Sequence, residues 1–195
     1  MFNGIIYNQG VINSIQKNKK NILLSIQTNL KLKKKDIGSS ISCDGVCLTV
    51  ISIKKRILSF YISKETLIRS NFKNLNVGSF INLEKSLSFG DNISGHFVQG
   101  HVDTTAKILN LKKEDKTWIF NFQILRKDIR EDLVEKGSIC INGVSLTISK
   151  ISQKGFEVNV IPHTLNQTNL IKLTKGKYVN VEIDIFSKYI KKMNN

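Results

Sequence analysis

The chain repeats itself, and that constrains its fold more than any other feature. Ser40-Ile41-Ser42-Cys43-Asp44-Gly45-Val46-Cys47-Leu48-Thr49-Val50 returns as Ser138-Ile139-Cys140-Ile141-Asn142-Gly143-Val144-Ser145-Leu146-Thr147-Ile148, 98 residues later. At that offset Ile53 meets Ile151, Thr66-Leu67 meets Thr164-Leu165, and Asn71 meets Asn169. Gly78 meets Gly176, and Asn82 and Glu84 meet Asn180 and Glu182. No gap interrupts the match. The beginnings correspond at an offset of 96: Gly4 with Gly100, Ile6 with Val102, Ile12 with Ile108. The change of offset places one insertion between Lys17 and Lys31, where a loop absorbs it. Two homologous halves follow, joined near Ser88–Ser94. A chain built twice offers two related sites.

Within each half the pattern is that of short strands. The duplicated stretch is two β-branched runs around Asp44-Gly45 or Asn142-Gly143, pairs that accept the positive φ of a tight hairpin turn. The apolar run Phe2–Ile15 reads as a first strand. Asn21–Ile26 reads as a second, after the polar turn Gln16–Lys20. Lys31–Asp36 is a loop or short helix. Leu58, Phe60 and Ile62 alternate with Ser59 and Tyr61, giving a strand over Ile57–Ile62. Lys64–Asn74 holds a short helix, and Phe80–Leu83 is a strand after the Val77-Gly78 turn. About six strands per half, with regular turns, predict an all-β chain of two small barrels or sandwiches. In the tail, Phe186, Tyr189, Ile190 and Met193 recur at helical spacing among lysines. That amphipathic helix either caps the second barrel or pairs with another copy.

Composition excludes several classes. No apolar run approaches the ~20 residues needed to span a membrane as a helix. The N-terminus lacks the charged and apolar regions of a secretory signal. Three cysteines without CxxC spacing indicate reduced thiols and a cytoplasmic setting. The net charge of +15 raises the question of nucleic acid. The lysines are scattered, however, and arginine, the better phosphate fork, occurs only at 56, 69, 126 and 130. A solvated basic surface is the expectation, with no nucleic acid and no membrane partner.

Cys47 and Ser145 occupy equivalent positions, each two residues before a threonine at a strand start. That place is expected at a barrel mouth, where ligands bind. A lone Cys is usually a small buried hydrophobe; its duplication as Ser gives it weight. In Gly95-His96-Phe97-Val98-Gln99-Gly100-His101-Val102-Asp103, two histidines lie five apart without further ligands, so no metal is predicted. His101 can move protons near neutral pH. Ile62–Thr66 and Val160–Thr164 follow a strand in each half and offer backbone polar groups to a planar heterocycle.

These words together resemble the two-barrel riboflavin synthase family from Met1 to about Asp184: Met-Phe-x-Gly-Ile-Ile, Gly-Val-Cys-Leu-Thr-Val, Lys-Glu-Thr-Leu, Gly-His-Phe-Val-Gln-Gly-His-Val-Asp, Gly-Val-Ser-Leu-Thr and Ile-Pro-His-Thr-Leu. The resemblance implies two six-stranded Greek-key β-barrels in tandem over 1–94 and 95–184, and a C-terminal oligomerisation helix over 185–195. It implies a dismutation in which two molecules of 6,7-dimethyl-8-ribityllumazine give riboflavin and 5-amino-6-ribitylaminouracil, with no cofactor. It also implies a homotrimer with active sites between subunits. Carried over, the N-barrel pocket takes Gly4, Ile5, Ile6, Cys47, Leu48, Thr49, Tyr61, Ile62, Ser63, Lys64, Glu65, Thr66, Gly100, His101 and Val102, with Phe2 in its wall. The C-barrel pocket takes Lys136, Ser145, Leu146, Thr147, Val160, Ile161, Pro162, His163 and Thr164, and Asp184 holds a ribityl chain or orients a neighbour. Cys47, His101 and Ser145 are the implied catalytic groups: Cys47 as a nucleophile, His101 or Ser145 as the base. Ser94 and Asn3 depart from the family's common Gly and Thr. The alternative is a non-catalytic lumazine- or flavin-binding relative. A flavin oxidoreductase would need a nicotinamide-binding glycine fingerprint that the chain lacks.

Overall fold

A computed structural model describes residues 1–17 and 22–193. The turn expected at Gln16–Lys20 and the residue Asn21 therefore fall partly outside the described residues. The first barrel comprises β1 (Asn8–Lys17), β2 (Ile22–Thr28), β3 (Ser40–Cys43), β4 (Val46–Lys54), β5 (Ile57–Ile62) and β6 (Phe80–Lys85). A short helix α1 (Lys64–Arg69) and a 3-10 turn (Asn71–Asn74) lie between β5 and β6. The second barrel comprises β7 (Thr104–Glu114), β8 (Thr117–Gln123), β9 (Ser138–Ile141), β10 (Val144–Ser152), β11 (Gly155–Val160) and β12 (Tyr178–Ile183). It carries α2 (Lys127–Arg130), α3 (Pro162–Gln167) and a 3-10 turn (Asn169–Lys172), and the chain ends in α4 (Ile185–Met193). Both sheets close with the same antiparallel order, β1-β2-β5-β4-β3-β6 and its equivalent in the second half. Closure needs strongly bent strands, and the bends recur at repeat-related places. Register shifts fall at Ile12/Ser14 and Ile108/Asn110, and at Val50/Ser52 and Ile148/Lys150.

Alternation fills each barrel. Leu24, Ile26, Ile41, Val50, Phe60 and Ile81 point into the first. Phe120, Phe122 and Phe156 pack into the second, with the latter two rings 5.2 Å apart.

Three expectations need correction. The first strand begins at Asn8, not Phe2, because Gly4 turns the chain at φ +75°. Phe2 instead forms an isolated antiparallel bridge with Val98, its own repeat counterpart. The change of offset does not lie before Lys31 at the β1–β2 turn. Ile12 pairs with Ile26 as Ile108 pairs with Phe122, so the offset of 96 persists through the second strands. The extra residues belong to the connection from β8 to β9, which holds α2. Finally, Cys47 and Ser145 do not open into a barrel mouth. Leu48 and Val50 take the inward positions of β4, so Cys47 and Thr49 face outward, and Ser145 and Thr147 do the same on β10.

The two barrels meet across a pseudo-twofold axis on which counterparts face each other. Asp44 and Gly45 both have positive φ, as do Asn142 and Gly143, which is the backbone a two-residue hairpin of this kind requires. The two turns abut: a Cβ on Gly45 would sit 2.8 Å from the amide nitrogen of Gly143. Asparagines tie the seam. Asn82 Nδ2 donates to Asn142 O at 2.9 Å, and Asn180 Nδ2 donates to Asp44 O at 2.8 Å. Asn169 N–H donates to Asn82 Oδ1 and Asn71 N–H to Asn180 Oδ1, both at 2.7 Å. Buried amides are tolerated here because most find a partner. Asp44 breaks the symmetry. It accepts from Asn82 N–H (2.7 Å) and Asn169 Nδ2 (2.9 Å), and burial pushes its carboxyl up to about 8.

Candidate active site

The segment leading into each barrel does not stay with that barrel. Gly100 precedes β7, yet its carbonyl accepts the N–H of Cys47 at 2.8 Å on the first barrel. Gly4 precedes β1, yet its carbonyl accepts the N–H of Ser145 at 2.8 Å on the second. Ile6 joins the core of the second barrel and Val102 packs against the core of the first. Each crossing is fixed by a buried carboxylate on the last strand of its own barrel. Glu84 accepts from Asn3 N–H (2.8 Å) and Gly4 N–H (3.1 Å). Glu182 accepts from Gln99, Gly100 and His101 N–H at 2.7, 2.9 and 3.0 Å. Burial raises both carboxyls, Glu84 to about 7, against the pull of these amides. Close approach demands glycine at both crossings. A Cβ on Gly100 would lie 2.7 Å from Cys47 Cβ, and one on Gly4 would lie 2.7 Å from Ser145 Cβ.

Two clefts result. The first holds about 230 Å³ and is lined by Cys47, Glu65, Thr66, Gly100, His101 and Val102, together with Val46, Arg69 and Ser70. All six of the leading residues were expected in the N-barrel pocket. Ser63 caps α1 by accepting from Thr66 N–H at 3.1 Å, which fixes the helix start beside the cleft. Tyr61, Ser63, Lys64 and Thr49, also expected in this pocket, are exposed and do not line the cleft. Leu48 and Ile62 turn their side chains into the barrel core, leaving only their backbones to the outer face.

The second assembly centres on Ser145. Gly4 lies over it and Ile6 packs into the second barrel's core, so the grouping of these two with Cys47 is corrected; Ile5 lines a separate hollow with Asn3, Leu30 and Glu84. Thr147 is exposed beside Ser145, and Leu146 and Val160 pack with the core. Ile161, Pro162 and His163 are exposed at the start of α3, with Thr164 half-buried there. Lys136 stands in an exposed left-handed turn before β9, its N–H donating to Ile148 O at 2.9 Å.

His96 was missed as a site residue. Its Nδ1 lies 2.7 Å from Ser145 Oγ, and its Nε2 has no partner among the described residues. Burial lowers its pKa, while the charge of Asp184 acts the other way. Such a pair can pass a proton between hydroxyl and imidazole. The repeat could not reveal His96, because the matching position would precede Met1. Phe2, fully buried, packs with Val98, Cys140 and Cys47 on the axis between the two assemblies. No group of three or more His, Cys, Asp or Glu among the described residues is arranged to hold a metal.

Tandem six-stranded barrels with such crossed lead-in segments define a class, the lumazine-binding proteins: the lumazine binding domain model matches residues 3–86 and again 99–184. Two solved structures share the fold over 94% of this chain and 99% of theirs. LumP complexed with riboflavin superposes with a TM-score of 0.83 at 30% identity, and LumP complexed with flavin mononucleotide with 0.80 at 29%. Riboflavin synthase of Photobacterium leiognathi is 34% identical over 197 residues, covering 99% of this chain and 88% of that protein. Riboflavin synthase of Bacillus subtilis is 34% identical over 190 residues, covering 97% and 88%. The chain belongs to the riboflavin synthase family.

Proposed function

We propose that this chain is a riboflavin synthase, a transferase that dismutates two 6,7-dimethyl-8-ribityllumazine molecules into riboflavin and 5-amino-6-ribitylaminouracil. The observation that carries the reading is the double crossing: each barrel presents an outer site completed by the other half's lead-in segment. A reaction of two identical molecules in unlike roles calls for two like sites with unlike polar groups. Here Cys47 with His101 stands against Ser145 with His96. The two substrates contain every atom of both products, so the balance needs no co-reactant.

In this reading residues 1–94 and 95–184 are the two lumazine-binding halves. The N-site uses Cys47, Thr49, Glu65, Thr66 and the Gly100–Val102 segment. The C-site uses Gly4–Ile6, Ser145, Thr147 and the Ile161–Thr164 turn, with Lys136 just before β9 and the Asp184 charge acting on His96. A base removes the acidic 7-methyl proton of one lumazine; the Ser145–His96 pair and His101 are the candidates. The other ring is attacked at C7 after activation by water or by the Cys47 thiol. Orientation of two bulky heterocycles supplies much of the acceleration. The two sites must meet face to face, and within one chain they lie on different barrels, so we assign the chain to a homotrimer with each site pair formed between subunits. Helix α4 supports this assembly: Phe186, Tyr189, Ile190 and Met193 are exposed on it. The protein works in the cytoplasm, in keeping with its free thiols.

Incubating the whole protein with 6,7-dimethyl-8-ribityllumazine, without added cofactor, tests the reading through riboflavin fluorescence. Tight lumazine binding with no riboflavin formed would instead support a carrier, the role suggested by the likeness to the liganded LumP structures.

A further inference from the structure

The segment that carries both candidate histidines is held from outside by the C-terminal helix. Residues 96–103 bring His96 to Ser145 on the second barrel and His101 into the Cys47 cleft on the first. Glu182 holds the middle of this segment through the N–H groups of Gln99, Gly100 and His101. Helix α4 takes its two ends. At one end the rings of Phe97 and Phe186 meet edge to face, with centroids 5.8 Å apart and planes at 73°. At the other end Asp103 Oδ2 pairs with Lys188 Nζ at 2.6 Å and accepts Ile183 N–H at 2.9 Å.

The helix is itself anchored firmly enough to hold another element. Asp184 Oδ1 accepts Phe186 N–H at 3.0 Å and so caps the helix start. Ser187 Oγ donates to Asp132 O at 2.8 Å, and Lys191 Nζ pairs with the Asp132 carboxylate. The side chains of Lys188 and Asp103 are only 27% and 20% exposed, so water screens this pair less than an open surface bridge. Asp103 N–H also donates to Val181 O at 2.9 Å, which fixes the backbone from which the carboxylate projects.

The internal repeat supplies the comparison. At the offset of 98, Ser88 stands at the position of Phe186 and Gly90 at that of Lys188. At the offset of 96, Met1 stands at the position of Phe97 and Tyr7 at that of Asp103. The first lead-in segment therefore has neither the ion pair nor the ring contact, and it carries no histidine. The double hold from α4 belongs only to the segment with the two imidazoles.

We propose that Lys188 is a positioning residue: with Phe186 it makes α4 a clamp that sets where His101 and His96 stand in the two sites. The inference rests on the reading of those sites as the places of riboflavin synthesis. Lys188 acts through Asp103 and not on the substrate. Without the bridge, the end of the segment next to His101 loses an anchor. A reaction that must orient two rings is sensitive to displacements of about 1 Å. The helix thus has a task inside each chain, separate from that of its exposed Tyr189 and Met193.

Lys188→Met and Lys191→Met in the whole protein test this as a matched pair. Each removes one ion pair from the same helix, the first with Asp103 and the second with Asp132. A role in folding or assembly alone affects both alike. The clamp predicts that Lys188→Met lowers kcat about tenfold with KM within about threefold, and that Lys188→Arg recovers most of the loss. Lys191→Met should stay within about twofold of the native kcat. The chain has three histidines, which give a second readout without substrate. In the ligand-free protein the imidazole NMR signals of His96 and His101 should move in Lys188→Met while that of His163 stays, and none should move in Lys191→Met. Equal kcat in the two variants, or an unmoved His101 signal in Lys188→Met, would overturn the clamp. A native protein that forms no riboflavin would overturn the enzyme reading instead, and the histidine signals would still decide the clamp.

Discussion

Gly100→Ala is the sharpest probe of the crossed segments. Gly100 has φ +78°, a conformation that costs a residue with a Cβ about 1–2 kcal/mol. Its new Cβ would lie 2.7 Å from Cys47 Cβ and 2.8 Å from Cys47 N, where about 3.5–4.0 Å is comfortable. The contact atoms are backbone and Cβ, so neither can swing away. Relief requires the segment to lift by about 1 Å, which also loosens the bond from Cys47 N–H to Gly100 O, worth about 1 kcal/mol. The sum, about 2–4 kcal/mol, lowers the melting temperature by roughly 5–15 °C for a chain of this size. A lift of about 1 Å at a site that aligns two rings cuts turnover on the order of a hundredfold. Gly4→Ala should behave alike through Ser145. Gly78→Ala is the control: its φ is +86°, and nothing lies within 4 Å of the added Cβ. It should lose stability from backbone strain alone and keep its turnover. Steady-state riboflavin formation, read beside thermal unfolding of all three variants, decides the matter. Turnover of Gly100→Ala within about threefold of Gly78→Ala, at a temperature where both are folded, would refute the role of the crossing.

Asp44→Asn copies into the first turn the residue that the second turn already uses at Asn142. Because burial raises the Asp44 carboxyl to about 8, the native chain should lose stability as pH rises from about 4 through 8; the variant should flatten that loss, by on the order of 2 kcal/mol in urea unfolding at pH 9. His96→Gln and Ser145→Ala should each lower turnover about a hundredfold, and the double variant should lose little more, since the two act as one unit; a multiplicative loss would separate them. The lowered pKa of His96 means the pair is already neutral at pH 7, so turnover should fall only on acidification below the ordinary histidine range. Cys47→Ala should cut turnover strongly while lumazine binding stays measurable by fluorescence, and unchanged turnover would remove the thiol from the chemistry.

Local patterns announced local structure. The Asx-Gly pairs, the alternation in Ile57–Ile62 and the helical spacing of Phe186–Met193 each appear as read, because turn chemistry and burial period act within a few residues. What stayed hidden is non-local. Phe2–Tyr7 is apolar enough for a strand, but its destination is set by Glu84 and Ser145, some 80 and 140 positions away in the chain. The outward aim of Cys47 follows from the inward aim of Leu48, a parity that the strand start alone does not fix. Asn71, Asn82, Asn169 and Asn180 were visible as matched pairs. Their meaning needed the two halves face to face. His96 had a single signal, its nearness to the glycine-rich crossing, and no counterpart to lend it weight.

The exchange of lead-in segments has a consequence for how the two copies could diverge. After a duplication, one copy is ordinarily free to decay while the other works. Here a change at Gly4 is felt beneath Ser145 and a change at Gly100 beneath Cys47. Each copy therefore holds the other's function in place. Differences such as Cys against Ser, or His101 against Ile5, accumulate as division of labour, and neither half becomes a spare.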